Sequence, residues 1–191
     1  MAKLSVESAR SRLLDLFKEL SWRRGLVTLA SGKQSDFYID GRQTALHAEG
    51  SCLIGELIFS HIQTLRAKNI RIDGVGGMTL GADPIATATS IISWQSGAPV
   101  HAFIIRKELK AHGTASWVEG TRNLPKNSPV LIVEDTVTTG GSTRKAVDRA
   151  RESSLAPVAI FSLVDRNEGG REALRATGIP YTSLFTRDDF T

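Results

Sequence analysis

Apolar positions along the chain change their period several times, and those changes lay out its elements. Leu13, Leu14, Phe17 and Leu20 recur at helical spacing and predict an amphipathic opening helix over 5–20. Residues 26–45, LVTLASGKQSDFYIDGRQTA, read as short strands broken at a Ser31-Gly32 turn. Leu53, Ile54, Leu57, Ile58, Ile62 and Leu65 give a second helix its buried side. A strand over about 69–75 then leads into a glycine-rich turn, GVGGMTLGADP, and a helix over 84–93. VHAFII (100–105) reads as a strand and 106–128 as a long polar segment. The strand VLIVED (130–135), a helix over 142–152 and the strand VAIFSLVD (158–165) follow. A short helix near 168–176 and a last strand, YTSLF, end the series.

Strand and helix in strict alternation predict an α/β fold, a Rossmann-like parallel sheet with helices on both faces. Ligands of such sheets bind beyond the carboxyl ends of the strands. The loops after Val75, Ile105, Asp135 and Asp165 should therefore meet at one cleft. There is no internal repeat and no Pro-rich linker, and 191 residues suit a single domain, 1–191.

Composition narrows the class. The chain is 41% hydrophobic and 23% charged, as soluble globular proteins are. No eighteen apolar residues run together, so no membrane association is expected. Glu7, Arg10 and Arg12 interrupt any signal-peptide core. Cys52 stands alone, so no internal disulfide can form; it reads as a plain core residue of a cytoplasmic protein. The net charge of +4 and pI near 9.5 fit a nucleic-acid surface, a site for a small polyanion, or an ordinary solvated exterior.

Two common phosphate fingerprints are missing. The only Gly-Lys pair, Gly32-Lys33, precedes Gln34, which excludes a Walker loop, and GVGGMT ends on Thr79 where the dinucleotide fingerprint needs Gly. DTVTTGGST (135–143) nonetheless has the makings of an anion cradle. Gly140 and Gly141 let backbone amides turn inward, Thr138, Thr139, Ser142 and Thr143 add hydroxyls, and a helix N-terminus faces the same point. Glu134 and Asp135 would repel a phosphate, so they read as acceptors for nearby hydroxyls such as a sugar diol. Together these residues suit a 5-phosphosugar.

VLIVEDTVTTGGST (130–143) resembles the 5-phosphoribosyl 1-diphosphate (PRPP) signature of type I phosphoribosyltransferases. RKELKAHGTASWVEG (106–120) resembles the mobile catalytic loop of orotate phosphoribosyltransferases, and LASGKQSDFYIDGR (29–42) is similar to their orotate-contacting segment. The resemblance covers about residues 10–185 and implies the type I phosphoribosyltransferase fold, with 1–45 as a small N-terminal hood. It implies that Glu134 and Asp135 hold the ribose and that Thr136, Val137, Thr138, Thr139, Gly140, Gly141 and Ser142 hold the 5-phosphate. Arg106, Lys107, Lys110 and His112 would bind the diphosphate, with Lys107, Lys110, His112 and Asp135 catalytic. Tyr38, Ile39, Thr138 and Arg166 would meet orotate. Mg²⁺ would be held mainly by PRPP, not by a protein metal site. The assembly implied is a homodimer with shared active sites. Ala30 and Thr79 stand where many members carry Lys.

Other readings stand beside these. Arg106, Lys107 and Lys110 also fit a solvated loop, and Arg166 could pair with Glu168 at a helix start. His47, His61 and His101 carry no motif. A PRPP-sensing regulator that binds nucleic acid would share the signature but has no need of the 106–120 loop. Nucleic acid is therefore not expected as a partner. A purine phosphoribosyltransferase would lack a use for Arg166.

Overall fold

In the computed structural model, which describes residues 4–28, 34–109 and 116–190, the Ser5 hydroxyl accepts from the Ser8 amide at 3.1 Å and starts α1 (Val6–Leu16). Ala9, Leu13 and Leu16 form its buried stripe, and a π-helical turn, Phe17–Ser21, extends it. Next come the antiparallel strands β1 (Trp22–Thr28) and β2 (Gln34–Ile39). The strand expected to continue to 45 stops at Asp40, whose carboxylate accepts from the Arg42 amide and caps the short helix α2 (Gly41–Ala45). Helix α3 (Ala48–Ala67) is capped in turn by the His47 ring.

From there the chain is β3 (Gly74–Met78), α4 (Ala82–Gln95), β4 (His101–Ile105), β5 (Val118–Glu119) and β6 (Pro129–Val137). It continues as α5 (Gly141–Glu152), β7 (Ala156–Asp165), α6 (Gly170–Arg175) and β8 (Tyr181–Thr186), and Arg187–Phe190 forms a closing 3-10 turn. The main sheet has the order β5-β4-β3-β6-β7-β8. All pairings in it are parallel except that of the short edge strand β5, which lies in the segment expected to be wholly loop.

The glycine-rich stretch expected as a turn is strand β3 itself, buried throughout. A Cβ at Gly76 would meet the Phe103 carbonyl oxygen, and one at Gly77 the Val133 carbonyl oxygen. Glycine therefore lets β3 lie close between β4 and β6. Cys52 corrects a second expectation, for it is exposed. The buried face of α3 runs through Leu53, Ile54, Leu57, Ile58 and Ile62, which turns residue 52 outward.

Strand β6 shows how the sheet builds two cores. Leu131 and Val133 join Ile54, Ile58 and Ile85 on one face, whereas Val130 and Ile132 join Ala146, Val147 and Leu174 on the other. The hood docks on the first core through aromatic rings. Phe17 lies 5.8 Å from Phe185, and Phe37 5.8 Å from Phe190, both edge to face. No helix among the described residues is long and apolar enough to cross a membrane.

Candidate functional site

Strand order reverses between β3 and β6: from β3 the chain winds one way to β4, and from β6 the other way to β7 and β8. Loops leaving neighbouring strands in opposite directions open a crevice at their carboxyl ends. A cleft of about 240 Å³ lies there. Tyr38, Ile39, Asp40 and Arg42 wall it from the hood, Met78–Gly81 from the end of β3, and Lys107 from the end of β4. Glu134, Asp135, Thr136 and Ser142 form the wall of β6 and α5. A second hollow of about 90 Å³, lined by Thr136–Thr143, adjoins it through Glu134, Thr136 and Ser142.

The smaller hollow is lined by the residues of DTVTTGGST expected to form an anion cradle. Gly140 adopts φ 76°, and a Cβ there would lie 3.2 Å from the Gly170 carbonyl oxygen, so a side chain would strain the backbone and crowd its neighbour. The turn at Gly140 sends the chain into α5, whose first amides lack partners within the helix and carry its positive dipole end. Val137 is an apolar exception among the cradle residues. Its side chain is buried in the core and its carbonyl accepts from the Arg166 amide at 2.9 Å.

The acidic pair is held between the two hollows. Glu134 is buried, with Thr143 Oγ1 donating to its Oε2 at 3.2 Å. Burial, and then the neighbouring Asp135, pushes its carboxyl up to about 8. Burial also raises Asp135, against hydrogen bonds from Glu134 and the Thr136 amide that work to lower it. Two glycines let other segments close on this carboxylate. A Cβ at Gly81 would lie 2.5 Å from Asp135 Oδ1, and one at Gly41 would lie 3.1 Å from Asp135 Cβ. Thr136 Oγ1 is buried beside them with no hydrogen-bond partner among the described residues. Such a group is a donor and acceptor in waiting.

The structure brings together Tyr38, Ile39, Lys107, Glu134, Asp135 and the 136–142 loop. Arg106 turns aside, its Nη1 on Glu119 Oε1 at 2.9 Å, with both side chains well exposed. Arg166 is buried and bridges elements: Nη2 donates to the Phe37 carbonyl at 3.0 Å and pairs with Glu168 at 2.9 Å. The Glu168 pair weighed from the sequence is thus present, and so is a tie to the strand bearing Tyr38 and Ile39. Lys110, His112 and Ala30 lie outside the described residues. Thr79 lines the cleft and donates to Asp83 Oδ2 at 2.6 Å.

Asp40 and Arg42 were not anticipated in the site. Arg42 Nε and Nη2 grip the Asp40 carboxylate at 2.8 and 3.1 Å, and hydrogen bonding from Arg42 holds that carboxyl below its ordinary range. Both lie in the 29–42 stretch likened to an orotate-contacting segment, where Tyr38 and Ile39 alone were singled out.

Residues 43–176 match the phosphoribosyl transferase domain. The chain is 46% identical over 183 residues to the orotate phosphoribosyltransferase of Sorangium cellulosum, an alignment covering 96% of this chain and 93% of that one. The Nostoc enzyme of the same name is 42% identical, with 97% and 86% covered. The crystal structure of Mycobacterium tuberculosis orotate phosphoribosyltransferase in complex with PRPP superposes with a TM-score of 0.77 at 36% identity, covering 95% of this chain and 98% of that one. With its sheet order, its acidic pair and its cradle, the chain belongs to the orotate phosphoribosyltransferases, within the type I phosphoribosyltransferase fold.

Proposed function

We propose that the cleft transfers the 5-phosphoribosyl group of PRPP to orotate, giving orotidine 5′-monophosphate and diphosphate in pyrimidine (UMP) synthesis. The observation that carries this reading is the junction of an acidic pair, Glu134 buried and Asp135 half-buried, with an amide-rich helix start. One half suits a sugar diol and the other a phosphate monoester, and the two hollows adjoin through Glu134, Thr136 and Ser142.

In the reaction the bond from C1 of the ribose to diphosphate breaks, a bond from C1 to a ring nitrogen of orotate forms, and the proton of that N–H leaves with the diphosphate. Positive charge grows on the sugar and negative charge on the leaving group. Amides and hydroxyls of 136–142 anchor the 5-phosphate, and Glu134 and Asp135 accept from the ribose hydroxyls, so the sugar is fixed while its bonds change. Lys107, with Lys110 and His112, is assigned to the departing diphosphate, where a well-placed cation stabilises the transition state. Tyr38, Ile39 and Thr138 are assigned to orotate. Arg166 would exchange part of its Glu168 contact for the orotate carboxylate.

The donor set suits Mg²⁺ carried in on substrate. Among the described residues no group of three or more His, Cys, Asp or Glu side chains could hold a metal ion. Glu134 and Asp135 would face Mg²⁺ across ribose hydroxyls and water, as this cation tolerates. When bound, it offsets the charge of the diphosphate.

A second copy of this chain is the partner we assign. Pro84, Thr87, Ile91 and Trp94 fall at spacings of three and four along one side of α4, and Leu80 stands in the turn just before it. Leu80, Ile91 and Trp94 are 64%, 53% and 74% exposed, and Leu46 is 72% exposed beside them. A shallow hollow of about 700 Å³ joins Leu46, Leu80, Pro84 and Thr87 and shares Asp40, Arg42 and Leu80 with the cleft. Exposed apolar side chains gathered in this way suit a surface that another protein covers. Its continuity with the cleft favours a two-fold dimer in which each copy completes the other's site. A reducing cytoplasm suits the lone thiol.

Mixing the protein with Mg²⁺, PRPP and either orotate or a purine base tests the assignment by ultraviolet absorbance. Loss of orotate alone is expected. Turnover of a purine with orotate untouched would overturn it.

A further inference from the structure

Arg149 stands two turns into α5, outside the cleft, yet its guanidinium reaches both ends of the 106–120 segment. Nη1 donates to the Arg106 carbonyl at 2.6 Å and Nη2 to the Lys107 carbonyl at 3.2 Å. Its Cζ lies 3.9 Å from the centre of the Trp117 ring, and Nη1 also approaches Met78 Sδ at 3.4 Å. The two ends are joined to each other as well: the Arg106 amide donates to the Trp117 carbonyl at 2.9 Å, and the Arg106 side chain pairs with Glu119. Arg149 is therefore the hub of a small clamp.

A basic residue near a helix C-terminus is ordinary and favourable with the helix dipole. That explains the charge at position 149 but not its partners. Two successive carbonyls and an indole face come from a different element, and they call for a planar group with donors spread in a fork, stacked on a ring. The carbonyls belong to the two residues that lead out of β4, and the second of them is Lys107, which lines the cleft. Helix α5 itself begins at the phosphate cradle. One side chain thus ties the element that starts at the cradle to the backbone that carries a cation into the site.

We infer that Arg149 is a positioning residue for phosphoribosyl transfer: it fixes the Arg106–Lys107 backbone so that the Lys107 ammonium enters the cleft. This rests on the function proposed above, and it predicts an effect of Arg149 that passes through Lys107 without contact with substrate.

A double-mutant cycle tests the inference, with Arg149→Lys chosen because it keeps the charge and the packed stem while losing the fork. Arg149→Lys in the otherwise wild-type chain should lower kcat/KM for PRPP about tenfold, the scale of one charge-assisted hydrogen bond. Binding of orotidine 5′-monophosphate, which has no diphosphate, should stay within about twofold. In a Lys107→Ala background the same change should cost less than about twofold, because residues acting as one unit do not add. Trp117→Phe, which weakens the stack, should move in the same direction to a smaller extent, and Arg149→Lys should shift the Trp117 emission. A full tenfold loss in the Lys107→Ala background would overturn the inference, as would an unchanged kcat/KM together with a shifted Trp117 emission. Failure of the wild type to consume orotate would instead strike at the proposed function, while binding of Mg²⁺-PRPP to the same variants would still read the positioning claim.

Discussion

Glu134 holds its proton up to about 8 in the folded chain, because burial and then Asp135 oppose its charge, against an ordinary value of 4.5. Folding therefore takes up a proton between those values, and stability of the ligand-free protein should fall as pH rises from about 4.5 to about 8, levelling off above. Asp135, also raised by burial, works in the same direction. Glu134→Gln should flatten the pH dependence of the melting midpoint across that window. An undiminished slope in the variant would place the proton elsewhere. Arg166 poses a sharper question, since it already has Phe37 and Glu168 as partners. Arg166→Ala should raise the KM for orotate about 10- to 100-fold, the worth of a hydrogen-bonded charge pair. The KM for PRPP should move far less. Equal effects on both substrates would mean that Arg166 serves only to brace β2 against Glu168.

At the scale of elements, β6 and β7 were plain in the sequence because buried parallel strands are continuous apolar runs, and VLIV and VAIF have that form. The cradle loop was equally plain, since its hydroxyls and glycines are contiguous. Strand β3 was not. Its glycines lower β propensity and imitate a turn, and only the closeness of Phe103 and Val133 explains them. Arg149 was illegible for a related reason: its meaning lies in partners on other elements, which no local pattern records. The account of β3 can be tested alone. A Cβ at Gly77 would meet the Val133 carbonyl oxygen and lie 2.8 Å from Ala82 Cβ, so backbone must move. Gly77→Ala should cost about 1–3 kcal/mol through overpacking. A chain of this length should then melt roughly 2–10 °C lower. An unchanged midpoint would show that the strands are not so closely spaced.

For the whole molecule, Leu80 lines both the cleft and the hollow beside α4, so a dimer formed over that hollow would border the cleft. If Lys110 and His112 act across a two-fold axis, Lys110→Ala and Asp135→Asn should each be nearly inactive, and mixed subunits should recover activity. Half of the randomly exchanged dimers are hybrids with one intact site, so about a quarter of wild-type activity should return. Exchange without recovery would confine each loop to its own chain. The central claim is that the cleft holding Asp135 moves phosphoribose onto orotate, and one side-by-side measurement addresses it most directly. Wild-type protein and Asp135→Asn, matched in melting midpoint, are given Mg²⁺, PRPP and orotate while orotate loss and diphosphate release are followed together. The wild type should consume orotate mole for mole with diphosphate released, and the variant should be slower by about 10- to 100-fold, the worth of hydrogen bonds to a charged acceptor. A folded wild type that leaves orotate untouched, or a variant that turns it over at the full rate, would contradict the account.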